Sequence, residues 1–60
     1  MKKYEIFVSA SYMVNEHEEY NCFKEYIEAN NATEAKKVLK AQLKVNGYKK
    51  ISMDTPIEVK

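Results

Sequence analysis

The sequence predicts an α+β domain: a three-stranded antiparallel sheet, order 2-1-3, with one helix packed on one face, in the order β-β-α-β. Three observations predict it. Apolar residues alternate with a period of two from Tyr4 to Val14, again from Tyr20 to Ala29, and again from Tyr48 to Val59. Between the second and third runs the spacing changes to that of a helix. The chain of 60 residues has room for one domain, residues 1–60, and no more.

In the first strand, Tyr4, Ile6, Val8, Ala10 and Tyr12 fall on one face, and Glu5, Phe7, Ser9, Ser11 and Met13 on the other. It is the most apolar strand and belongs in the centre. Asn15 to Glu19 is polar and acidic and reads as a hairpin loop. It lacks Gly, which predicts a connection longer than two residues. In the second strand Phe23, Ile27 and Ala29 suit the core, and Cys22, Lys24, Tyr26 and Glu28 suit the other face. Glu25 breaks the inward set. Either it lies near the sheet edge, within reach of water, or a bulge shifts the register.

Asn31 is placed to cap the helix, with Glu34 three residues on as the partner in a capping box. Ala35, Val38, Leu39, Gln42 and Leu43 make the inward stripe, and Lys36, Lys37, Lys40 and Lys44 the outer arc. Gly47 supplies the left-handed residue that ends the helix. In the third strand, Ile51, Met53, Thr55, Ile57 and Val59 are expected on one face. Pro56 cannot donate to a ladder, which predicts an edge strand with a break near it.

So short a chain gains little from its own core. The ordering cost of about 1.5 kcal/mol per residue nearly cancels the apolar burial, so a partner subunit is expected. Cys22 is the only cysteine and His17 the only histidine, which excludes an internal disulfide and leaves too few soft ligands for a zinc site. No metal and no cofactor are expected. His17 among Glu16, Glu18 and Glu19 reads as an acidic loop. Cys22 and His17 have no cationic setting that would make a nucleophile pair. One Gly cannot build a phosphate loop, and no catalytic constellation is present, so the chain is not expected to be an enzyme. The lone cysteine and the alternating N-terminal run predict a cytoplasmic setting and no membrane contact.

One helix leaves one sheet face bare. Phe7, Met13, Cys22, Tyr26 and Tyr20 are expected there, and a contiguous apolar patch marks a binding surface. The function expected is that of a small regulatory protein-binding module, self-associating face to face or edge to edge. Charge supports an alternative. Residues 1–30 hold three lysines and six acids, whereas residues 31–60 hold seven lysines and three acids. Lys36, Lys40, Lys44, Lys49 and Lys50 form a basic stripe suited to the phosphates of RNA. All ten basic residues are lysine, without the arginines suited to bidentate base readout.

The segment Phe23 to Ala35, with Gly47, Lys49-Lys50-Ile51 and Ile57-Glu58-Val59, resembles the ribosomal protein LX family. That resemblance implies a β-β-α-β domain on the large archaeal ribosomal subunit, with the lysines against RNA. In style the chain also resembles the small accessory proteins of phages: very short, lysine-only, rich in Asn and Glu. Many such proteins bind and modulate a host protein.

Overall fold

The structure, a computed structural model, describes residues 1–60. It contains β1 (Lys2–Val14), β2 (His17–Ala29), α1 (Ala32–Val45), β3 (Lys49–Met53) and β4 (Ile57–Val59). β1 is central. β2 flanks it on one side, and β3 and β4 lie end to end on the other, all antiparallel. The fold is therefore α+β with strand order 2-1-3, the last strand divided in two.

β1 and β2 form one unbroken ladder from Lys2 opposite Ala29 to Val14 opposite His17. The connection is two residues, Asn15 and Glu16, where a longer loop was expected. Both have positive φ, 49° and 69°. That is the backbone of a type I′ turn, whose twist matches the flanking strands. Asn tolerates this conformation, and Glu16 adopts it without glycine because the ladder on either side holds it there. Residues His17–Glu19, expected in the loop, thus belong to β2. Glu25 faces the helix side opposite Ile6 in undisturbed register, so its exposure comes from the sheet edge and not from a bulge.

α1 begins where expected. Asn31 Oδ1 accepts from the Glu34 N–H at 2.8 Å. Glu34 reaches back one residue further than a capping box requires, its carboxylate accepting from the N–H of Asn30 at 3.4 Å. The helix ends in a Schellman motif. Gly47 N–H bonds to Lys44 O and Tyr48 N–H to Leu43 O, with Gly47 at φ 92°. The buried stripe is narrower than expected: Ala35, Leu39 and Leu43 are buried, whereas Val38 and Gln42 are exposed. A three-stranded sheet is too narrow to cover more than one row of the helix.

The core comprises Tyr4, Ile6, Val8, Ala10, Ile27, Ala29, Ala35, Leu39 and Leu43, with Phe23, Tyr48, Ile51 and Met53 at its margin. A 14-residue helix spans roughly 21 Å and a 13-residue strand roughly 44 Å, so α1 covers only about half of the hairpin. The covered half of β2 runs from Phe23 to Ala29. Tyr48 closes its end, edge-on to Tyr12 at 5.8 Å and tilted to Phe23 at 5.6 Å. Beyond it the hairpin tip projects bare.

The outer strand formed by β3 and β4 departs from simple alternation twice. Ser9 pairs with Ser52 but Ser11 with Lys49, so Lys50 and Ile51 together oppose Ala10. Lys50 has φ 49°, the left-handed first residue of a bulge. Val8 then pairs with Met53 but Glu5 with Ile57, a second extra residue in the segment that holds Pro56. This second slip exchanges the faces. Ile51 and Met53 pack toward the helix as expected. Ile57 sits opposite Glu5 and Val59 opposite Lys3, which puts them on the uncovered face and corrects the expectation that they share a face with Ile51 and Met53.

Candidate protein-binding face

The face turned away from α1 is built from cross-strand rows set by the register. Tyr26, Glu5 and Ile57 form one row, and Lys24, Phe7 and Asp54 the next. Cys22, Ser9 and Ser52 follow, then Tyr20, Ser11 and Lys49. All five residues expected on this face lie on it. Phe7 is 46%, Met13 51%, Tyr20 60% and Tyr26 50% exposed, and Ile57, which alternation had placed on one face with Ile51 and Met53, adds another at 55%.

These residues form two groups and not one continuous patch. Tyr26 and Ile57 flank Glu5 in one row, each diagonal to Phe7, over the half of the sheet backed by α1. Met13 and Tyr20 lie toward the hairpin tip. The small polar row of Ser9, Cys22 and Ser52 separates them. Cys22 is exposed, and its Sγ donates to Ser9 Oγ at 3.7 Å. Over this row lies a shallow depression of about 430 Å³ edged by Phe7, Lys24 and Asp54.

Charges are set within the first group. Lys24 Nζ is 3.9 Å from Glu5 Oε2 and lies 5.8 Å from the ring centres of both Phe7 and Tyr26. Tyr26 Oη donates to the same carboxylate oxygen at 3.1 Å. The ammonium is within cation–π range of both rings. Tyr26 is thus held between Glu5 and Lys24.

Near the tip, Lys50 Nζ and Tyr20 Oη both donate to Glu18 Oε1, at 3.1 and 2.9 Å. These bonds hold the Glu18 carboxyl below the usual carboxylate range, Lys50 contributing most and Tyr20 next. Lys50 is raised above the ordinary lysine value, mainly by the same bond. Since β1 lies between β2 and β3, this link passes over β1 beside Ser11. Ser11 is accordingly fully buried, and its Oγ donates to Lys49 O at 2.9 Å. Alternation had placed Ser11 on an open surface.

The lysines divide. Lys36 and Lys40, with Lys37, line a groove of about 350 Å³ between α1 and β3. Lys44 lies further along the exposed arc of the helix and Lys49 at the start of β3. Lys50 is drawn to the opposite face by Glu18, which removes it from the stripe. No group of three or more His, Cys, Asp or Glu side chains is placed to hold a metal ion. No helix is long and apolar enough to cross a membrane. Comparison with protein families, with curated proteins and with solved structures finds no match for this chain.

Proposed function

We propose that this protein is a non-catalytic regulatory module that binds another protein through the uncovered face of its sheet. The carrying observation is the group Phe7, Tyr26 and Ile57, half exposed and set on the half of the sheet backed by α1, beside a depression able to receive a side chain from the partner. The partner surface that fits is apolar, with a carboxylate able to reach Lys24. Packing two copies of this face together would bury two Glu5–Lys24 pairs in one dry interface, which costs more than it returns. The face is therefore assigned to a different protein.

The test is capture of the binding protein from the cells that make this chain. Phe7→Glu and Ile57→Glu should abolish capture while leaving the circular dichroism spectrum and melting midpoint unchanged. Lys36→Glu, on the helix side, should leave capture intact. The reverse pattern would overturn the proposal.

A second reading rests on the groove between α1 and β3. Lys36, Lys37 and Lys40 converge there, and an RNA-binding domain of the ribosomal LX type would place backbone phosphates along it, continuing past Lys44; Lys49, paired with Ser11 on the uncovered face, falls outside that track. Binding to single-stranded RNA should then weaken with salt at a log–log slope of about −0.7 per phosphate contact. No binding at low salt would remove this reading.

A further inference from the structure

The two outer edges of the sheet are unlike. The β3–β4 edge is short, broken at two places and carries Pro56, features that discourage pairing. The β2 edge has none of these. It runs 13 residues in unbroken register with neither Gly nor Pro, and β1 is its only neighbour. The two-residue turn makes Val14 and His17 the closing hydrogen-bonded pair. Alternation from there points the N–H and C=O groups of Glu18, Tyr20, Cys22, Lys24, Tyr26 and Glu28 toward the free edge.

We propose that a second copy of this chain pairs with that edge, antiparallel, about a two-fold axis at Asn21. A symmetric antiparallel pair must set one residue opposite its own copy, and charge narrows the choices. Centring on Asn21 sets Glu18 opposite Lys24 twice and His17 opposite Glu25 twice, with no like charges opposed. Centring on Cys22 would oppose Glu19 to Glu25, and centring on Phe23 would oppose Glu18 to Glu28. Centring on Lys24 or Glu25 would oppose each to itself. The Asn21 register also accounts for Glu25, the acid that breaks the inward pattern of β2: across the edge it meets His17.

Shape agrees with charge. α1 covers β2 from Phe23 to Ala29 and leaves His17 to Asn21 bare. An axis at Asn21 places the two helices on opposite sides of it, each beside the partner's uncovered tip. An axis at Tyr26, which also pairs Lys24 with Glu28, would bring both helices over the same segment and shut Glu25 beneath them. Glu18 takes its Lys50 and Tyr20 bonds through Oε1, leaving Oε2 for the partner's Lys24. An axis perpendicular to the sheet keeps both uncovered faces on one side, so the pair presents two copies of the Phe7 group to one binding protein.

The experiment uses the full chain in sedimentation equilibrium, with Lys24→Glu and Glu18→Lys variants. The wild type should be a dimer. Each variant alone should associate about tenfold more weakly, because each opposes like charges twice. An equimolar mixture of the two restores every Glu–Lys pair and should recover the dimer. A folding defect in either variant would not be repaired by mixing. A monomeric wild type, or a mixture no better than its components, overturns the proposal. Phe7→Glu should leave the dimer intact, which separates this outcome from the fate of the open-face reading.

Discussion

Lys50 on β3 donates to Glu18 on β2 at 3.1 Å, joining the two outer strands across the strand between them. It ties the bulge of the edge strand to the hairpin tip, where no helix supports the sheet. The left-handed backbone at Lys50 and this bond occur at one residue, and the bulge is what turns the side chain toward Glu18.

The bond gives stability a pH dependence of known sign. Glu18 binds its proton less tightly folded than unfolded, so its contribution is present above the unfolded carboxylate pKa and lost as pH falls through the lowered folded value. Lys50 is raised, so its contribution holds below the ordinary lysine pKa and disappears as pH rises through the raised one. Lys50→Met should melt below the wild type near neutral pH, and the difference should close in acid. Melting curves at matched ionic strength from neutral to strongly acidic pH check this. A difference that stays constant would mean the bond contributes nothing.

Glu16→Gly should stabilise the domain by about 1 kcal/mol, since Glu16 holds φ 69° and the left-handed region penalises a side chain. Greater freedom of glycine in the unfolded chain offsets part of the gain. The urea midpoint should rise with an unchanged slope. A fall would show that the Glu16 side chain contributes more than its backbone costs.

The turn also shows where sequence reasoning stops. Strand order, helix limits and the uncovered face follow from periodicity and caps, which are local signals. Phe7, Met13, Tyr20, Cys22 and Tyr26 lie on the expected face because the β1–β2 ladder never slips. The two-residue turn is hidden because Asn15-Glu16 lacks the glycine that usually announces it. Ile57 is assigned to the wrong face because one extra residue near Pro56 inverts the phase of everything after it. Pro56 marks the place but not the number of residues inserted. Ser11 carries no mark at all, since its burial depends on a lysine and a glutamate brought together from distant strands.

Ser11→Ala should cost about 1 kcal/mol, because it strips the donor that a fully buried hydroxyl gives to Lys49 O. Ser11→Val should cost more, since the added methyl groups have no space under the Lys50–Glu18 link. Urea titrations of both variants check the order. Equal, negligible losses would mean that water replaces the hydroxyl.

Leu39→Ala tests how little margin so small a core has. Leu39 is 1% exposed at the centre of the Ala35–Leu39–Leu43 row. Truncation of a buried leucine costs about 2–5 kcal/mol, and a single core of this size rarely supplies more than about 3–5. The variant should be largely unfolded at 25 °C, with loss of the helical circular dichroism signal. Val38→Ala, one residue away but 37% exposed, should cost less than about 1 kcal/mol. If two chains pair through β2, mass action adds to the stability of each, and Leu39→Ala should regain structure as protein concentration rises. A folded fraction independent of concentration would confine all the stability to one chain and argue against the paired edge.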